Sequence, residues 1–235
     1  MNKDINILIV EDDNSINNML ARLLEKNDYK VTQAFSGTEA KLYLDSKEFQ
    51  LVLMDLMLPG MNGEELLQYI RNTKTLPIII ISAKIDKSLK VELLRLGADD
   101  YITKPFDIED VLARVYANLR RYIDFSNSAK DENSINQELS FKDIRLNLES
   151  KEVYVNNQKI VLTAREFNIL KLFLQHPQKV FSKANIFESV WEEDYLGDDN
   201  TVNVHMSNLR NKLLKANPQE DYIETIWGMG YKLKS

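Results

Sequence analysis

Cysteine is absent from the 235 residues. That excludes a disulfide scaffold, a thiolate metal site and a cysteine nucleophile, and it fits a reducing compartment. Histidine is nearly absent: only His176 and His205 occur, far apart in the chain. A histidine-built metal centre and a Ser-His-Asp triad are therefore poor candidates, and carboxylate–Mg²⁺ chemistry or binding moves forward. Long apolar runs are also missing. The longest candidate, Ile78 to Ile81, is strand-sized, well short of the roughly 18 residues that span a bilayer. Met1 to Asp4 lacks the charged-then-apolar layout of a signal peptide. A cytoplasmic protein with no membrane partner is expected. Net positive charge is lacking as well. Residues 1–122 hold 16 basic and 19 acidic side chains, and residues 123–235 hold 14 and 17, so each part carries −3. Any nucleic-acid surface must be local.

What is present is a strong alternation. Asn6 to Val10, Val31 to Ala34, Leu51 to Met54, Ile78 to Ile81 and Tyr101-Ile102 read as short buried strands. Between them, Ile16, Met19, Leu20, Leu23 and Leu24 recur at helical spacing, as do Leu66, Leu67 and Ile70, and Leu89, Leu93, Leu94 and Leu96. Thr38 to Leu44 and Val111 to Leu119 complete the helices. Five βα units predict a parallel sheet covered on both faces. Right-handed crossovers open the carboxyl ends of all its strands on one edge.

Residues 123–137 lack apolar periodicity and read as a linker, although they hold neither Gly nor Pro. Beyond them, Leu146, Leu148, Val153, Val155, Ile160 and Leu162 fit short antiparallel strands, with turns near Glu149-Ser150 and Asn156-Asn157. Thr163-Ala164-Arg165-Glu166 is a capping-box signature, with Phe167, Leu170, Phe173 and Leu174 following. Ile186, Phe187 and Val190 suggest a second helix. Asn200 to Leu214 suggests a third, with Asn200 as N-cap. Gly228-Met229-Gly230 between two apolar stretches marks a hairpin.

Polar residues follow each of the first set of strands: Glu11 and Asp12, Asp55, Ser82, and Lys104. All should meet at the open edge. Clustered carboxylates repel, and Mg²⁺ relieves such repulsion with oxygen ligands and water. A carboxylate can also attack phosphorus to form an aspartyl phosphate, with Lys104 and Ser82 facing the phosphoryl oxygens. Taken alone, Glu11-Asp12-Asp13 suits a helix start equally well. Four strand ends with complementary groups do not reduce to that.

Residues 1–121 resemble a response-regulator receiver domain, on Leu8-Ile9-Val10-Glu11-Asp12-Asp13, Asp55-Leu56-Met57-Leu58-Pro59-Gly60 and Gly97 to Phe106. The resemblance implies Asp55 as the phosphorylated residue and Asp12 as a direct metal ligand. It implies Glu11 as a ligand through water, and Met57 as one through its backbone carbonyl. It also implies Ser82 and Tyr101 as a switch pair, and Lys104 as the phosphate partner. The donor would be a phosphohistidine on a separate sensor histidine kinase. Lys90 with Asp110, and Asp100 with Arg114, would pair two receivers into a homodimer on activation.

Residues 138–234 resemble the winged-helix effector domain of the OmpR/PhoB family, on Leu162 to Phe167, Val202 to Met206, Leu209 to Leu213 and Gly228 to Tyr231. Trp227 to Tyr231 is also similar to the vancomycin-resistance-type regulators. The expected architecture is thus an α/β receiver with a five-stranded parallel, flavodoxin-like sheet (1–122), a linker (123–137) and an α+β winged helix-turn-helix (138–235).

In the third helix of that half, Val202, Met206, Leu209 and Leu213 face the core. About 180° away lie Val204, Ser207, Asn208 and Asn211, flanked by Arg210 and Lys212. Asn208 suits an adenine edge and Val204 a thymine methyl; Arg210 and Lys212 suit phosphates. Thr201 and His205 complete the set assigned to double-stranded promoter DNA, with a packed or capping role open for His205. The six acids in residues 188–199 form a solvated loop, or face RNA polymerase or the receiver. Two departures stand out: Ser207 and Asn208 replace arginines common in the family, and Trp227 replaces a wing arginine. Trp227 is expected to pack beneath the wing, and DNA binding to lean on dimerisation.

The expected function is a two-component, phosphorylation-activated transcription regulator, not a turnover enzyme. Aspartyl phosphatases place a second acid two residues after the nucleophile; here that residue is Met57. The remaining rival is a phosphorylation-independent DNA binder whose receiver only dimerises.

Overall fold

The computed structural model describes residues 5–83, 87–127, 138–191, 195 and 199–234. The chain divides into two compact units, Met1–Tyr122 and Ile123–Ser235.

The first unit runs β1 (Asn6–Val10), α1 (Asn14–Lys26), β2 (Lys30–Ala34), α2 (Gly37–Ser46), β3 (Leu51–Met54), α3 (Gly63–Thr73), β4 (Ile78–Ser82), α4 (Lys87–Leu96), β5 (Asp100–Thr103) and α5 (Ile108–Asn127). The sheet order is β2-β1-β3-β4-β5, and all pairs are parallel. Every residue of β3 and β4 is buried, as a sheet covered on both faces requires. Helix starts follow local chemistry. Asp13 caps α1 by accepting from the Ser15 and Ile16 amides, and Asn62 with Glu65 forms a capping box on α3.

The last helix differs from expectation. It begins three residues before Val111 and runs eight beyond Leu119. Its end takes residues 123–127 from the expected linker. Those residues contain neither Gly nor Pro, so nothing in them breaks a helix. The rest of the expected linker, 128–137, lies outside the described residues.

In the second unit, β6 (Glu138–Phe141), β7 (Ile144–Asn147), β8 (Val153–Val155) and β9 (Gln158–Ile160) form an antiparallel sheet in chain order. Then come α6 (Ala164–Gln175), α7 (Lys183–Trp191), α8 (Asp199–Ala216) and the hairpin β10 (Ile223–Ile226) with β11 (Gly230–Leu233). Asn156 and Asn157 both have positive φ, the conformation of a tight hairpin turn. β6 was not anticipated, and Leu148 and Leu162 fall outside the strands. The capping box at Thr163 and Glu166 is present. Asn200 is not an N-cap: it lies inside α8, which already includes Asp199. One core unites β7, β8, α6, α7, α8 and the hairpin, with Phe167, Phe173, Phe181, Val202, Leu209 and Tyr222 deeply buried. The second unit is a winged helix, and the first has the receiver fold.

Candidate functional site

Sheet register builds the first site. Val10 pairs with Met54, so Glu11-Asp12 and Asp55 leave neighbouring strands side by side. Ser82 pairs with Thr103, which sets Lys104 one residue further along the same edge, and the Lys104 amide donates to the Ser82 carbonyl (2.9 Å). Side chains from three strand ends, those of β1, β3 and β5, thus gather, with the backbone of Ser82 beside them. Lys104 Nζ donates to Asp55 Oδ2 at 2.5 Å and to Glu11 Oε2 at 2.6 Å. The other Asp55 oxygen, Oδ1, accepts from the Leu56 and Met57 amides at 2.5 and 3.1 Å. Gly63 lets α3 approach here: a Cβ on it would sit 2.7 Å from the Asp55 carbonyl oxygen and 2.5 Å from Leu56 Cα.

Asp55, Glu11 and Ser82 are buried, whereas Asp12 is exposed. One carboxylate oxygen from each of Glu11, Asp12 and Asp55 lies within 4.8 Å of the others. Three carboxylates against one lysine leave two negative charges at an oxygen-only site. That donor set fits a hard divalent cation such as Mg²⁺. Electrostatics agree. Burial pushes the Glu11 carboxyl above its ordinary value despite the Lys104 partner. Burial would pull Lys104 down, but its ion pairs with Asp55 and Glu11 outweigh that and hold it above the usual lysine value. Protons are thereby retained where negative charge is crowded.

Tyr101 is half-buried on β5, with the Lys90 ammonium 4.2 Å above its ring centroid. Arg114 engages Asp100 through Nη1 (2.9 Å) and Asp110 through Nε (2.9 Å), both within the chain. The side chains assigned to receiver pairing are thus all engaged within the chain, Asp100, Asp110 and Arg114 with one another and Lys90 with Tyr101.

The helix α8 departs further from expectation. Val202, Met206, Leu209 and Leu213 are buried as periodicity requires, but so are Thr201, Val204 and His205. A base contact by Val204, or by Thr201 and His205, does not fit their burial. The physical reason is that α8 packs against both α6 and α7, so a second side of the helix is covered. His205 meets the Trp191 ring edge-on at 5.3 Å between centroids, the packed role left open for it. Ser207 and Asn211 are exposed, and Asn208 is half-exposed.

The two basic residues are tied inward. Arg210 Nη2 donates to the Ile223 carbonyl (2.8 Å) and to Thr225 Oγ1 (2.9 Å). Lys212 Nζ donates to the buried Glu166 Oε2 at 2.6 Å. Trp227 is not beneath the wing but 91% exposed at the hairpin tip, beside an exposed Met229. Four of the six acids in the stretch 188–199 lie outside the described residues. Three participants escaped the sequence reading: Glu166, read only as a cap, and Asn203 and Tyr231, whose pairing spans 28 residues. No local pattern announces such pairs.

Comparison with known proteins places these observations. Residues 7–116 match the response regulator receiver domain family. Residues 157–233 match the family described as transcriptional regulatory protein, C terminal. The chain is 39% identical over 229 residues to the uncharacterized transcriptional regulatory protein YcbL of Bacillus subtilis, covering 96% of this chain and 99% of that one. It is 35% identical over 229 residues to the regulatory protein VanR of Enterococcus faecium, covering 97% and 98%. A solved cysteine-to-serine mutant of RitR is similar over 98% of this chain and 99% of its own, with TM-score 0.81 and 27% identity.

Proposed function

Because the chain belongs to the response regulators that carry a receiver and a C-terminal DNA-binding transcriptional regulatory domain, the OmpR/PhoB type, we propose that Asp55 is its phosphoacceptor and that phosphorylation controls promoter binding. The observation that carries this reading is the Lys104 ammonium bridging Asp55 and Glu11, with Asp12 in reach. An Asp55 carboxylate oxygen attacks the phosphorus of a phosphohistidine on a sensor kinase. The O–P bond forms, the N–P bond breaks, and the imidazole leaves with a proton. Asp12 and Asp55 would hold Mg²⁺ directly, Glu11 through water, and Met57 through its carbonyl. When bound, the ion neutralises phosphoryl oxygen charge.

Lys104 then moves its contact from carboxylate to phosphoryl oxygen, and the Ser82 hydroxyl donates to another. The equilibrium of Tyr101 shifts between pre-existing states. Lys90, Asp100, Asp110 and Arg114 exchange internal partners for those of a second copy, giving a homodimer. Single surface pairs contribute little, so the dimer gains mainly by bringing two effector units to adjacent half-sites. On α8, Ser207, Asn208 and Asn211 form the face offered to bases. The protein works in the cytoplasm, contacts RNA polymerase once on DNA, and accepts phosphate on its own aspartate without turning over an external substrate. The apolar, exposed Met57 stands where an aspartyl phosphatase needs a second acid.

The test is phosphate incorporation from acetyl phosphate with Mg²⁺. Asp55→Ala should abolish it, and incorporation at the wild-type level would refute the assignment. For α8, Asn208→Ala should alter preference at one base position. Equal loss on every sequence would make Asn208 a positioning contact instead.

A further inference from the structure

Asn203 and Arg210 are seven residues apart, two helical turns, and so lie on one strip of α8. That strip faces the hairpin. Tyr231 O–H donates to Asn203 Oδ1 at 3.0 Å. The Arg210 guanidinium stands 5.2 Å from the Tyr231 ring centroid, while Nη2 reaches Ile223 and Thr225 on the opposite strand. One side chain therefore grips both strands of the hairpin. A guanidinium can stack on the ring while its Nη2 donates to the opposite strand; a lysine point charge reproduces only part of this. A backbone pair between Phe181 and Tyr231 (2.8 and 2.9 Å) anchors β11 from its other side. Gly230, with φ +135°, allows it, because a Cβ there would lie 2.0 Å from the Phe181 carbonyl oxygen.

What the grip holds out is an uncharged tip. Trp227 and Met229 are exposed across Gly228, and no acid or base lies between Ile226 and Tyr231. Exposed Ser207 lies about 40° around α8 from Asn203, just beside the Asn203–Arg210 strip, so the open edge of α8 borders the hairpin. We propose that Arg210 is a positioning residue and not a phosphate ligand: it clamps the hairpin to α8 so that the apolar tip and the Ser207–Asn211 edge meet one DNA duplex at a fixed spacing. This rests on the DNA-binding reading above.

The proposal separates from a phosphate contact by salt dependence. Each neutralised phosphate contributes about 0.9 to the slope of log K against log salt. Losing a clamp weakens binding and leaves that slope unchanged.

The experiment uses the full chain and a duplex selected by the wild type from a random 30-base-pair pool. It compares wild type, Arg210→Met and Arg210→Lys. Acrylamide quenching reports Trp227, with Trp227→Phe as the baseline for the buried Trp191. In wild type the duplex should shield Trp227. Arg210→Met, folded by circular dichroism, should bind on the order of tenfold more weakly with an unchanged salt slope and an unshielded Trp227. Arg210→Lys should restore part of the shielding. A slope reduced by about one phosphate with shielding intact would overturn the clamp. So would wild-type Trp227 equally quenched with and without DNA, while DNA binding itself stood. Failure of the wild type to select any duplex would overturn the DNA-binding reading as well. If Arg210→Met does not fold, Asn203→Ala with Thr225→Val keeps the arginine charge and removes two bonds that hold the hairpin to α8, Tyr231 to Asn203 and Arg210 to Thr225. That variant should lose shielding at constant slope, and retained shielding would refute the proposal.

Discussion

The two candidate surfaces were assembled from opposite kinds of information. The receiver pocket draws on residues as far apart as Glu11 and Lys104, yet they meet at 2.6 Å. The residues assigned to DNA all sit within Thr201 to Lys212, yet they scatter: three are buried, two are tied to neighbours, Asn208 is half-exposed, and Ser207 and Asn211 are exposed. In a parallel α/β sheet, topology alone sends every strand's carboxyl end to one edge. On a helix, exposure depends on what distant segments lay over each face. Distance along the chain is thus a poor guide to which site is easier to read.

The sharpest way to break this comparison is to remove the lysine that closes the pocket. Lys104→Met leaves Glu11 and Asp55 buried with no ammonium between them. Removing one partner of a buried pair strands the other, so the Mg²⁺-free receiver should lose on the order of 2 kcal/mol. The upward displacement of the Glu11 pKa tempers the loss, since that carboxyl can take a proton. Mg²⁺ should then stabilise the variant more than it stabilises wild type. Thermal melts with and without Mg²⁺ check this, and equal Mg²⁺ effects on both proteins would show that the carboxylates do not share one ion.

A milder test takes the other surface. Val204→Ala and Ser207→Ala are three residues apart on α8, one buried and one exposed. If Val204 is a packing residue, its truncation should cost about 1–2 kcal/mol in the effector unit through lost burial and a small cavity. Ser207→Ala should leave stability within about 0.5 kcal/mol and act on DNA affinity. Chemical denaturation beside a DNA titration separates the two. The opposite pattern would restore Val204 as a base contact.

These contrasts also mark how far the sequence could be read. Runs such as Leu51 to Met54 are buried on both faces and announce a central strand, and with five of them the pocket edge followed. The capping box at Thr163 was equally local. Lost from view was everything set by a partner remote in sequence. Val204 sits on the expected angular face, but it is buried where α8 packs into the unit. Arg210 has the chemistry of a phosphate ligand, but Ile223, Thr225 and Tyr231 claim it. Trp227 looks like core by composition, yet a hairpin tip has no interior to bury it. The end of α5 differs from expectation for another reason: residues 123–127 lack hydrophobic periodicity without breaking helix geometry.

The smallest effect compares two lysines, one in each unit. Lys104 is held above its ordinary pKa by two carboxylates. Lys151 on the effector unit is lowered to about 8, by burial first and then by the charge of Lys171; its ammonium stands 5.9 Å from the Phe167 ring centroid. Their contributions to stability run in opposite directions. Below about pH 8 Lys151 is charged in both folded and unfolded chains, and its burial penalty is fully present. Between that value and the ordinary lysine range the unfolded chain binds more protons, so effector stability rises with pH. Lys104 has a raised folded pKa, so its contribution is complete at neutral pH and falls only above the ordinary lysine value. Denaturation of the effector unit followed from pH 7 to pH 10 should show a shallow rise, well under 1 kcal/mol because Lys151 is only half-buried. Lys151→Gln should flatten it. Side-chain NMR titration gives the direct reading: the Lys151 methylene next to the ammonium should shift near pH 8 while Lys104 stays unmoved. Titration of both lysines together above pH 10 would mean that Lys151 is solvated and that the contrast between the two units does not extend to their lysines.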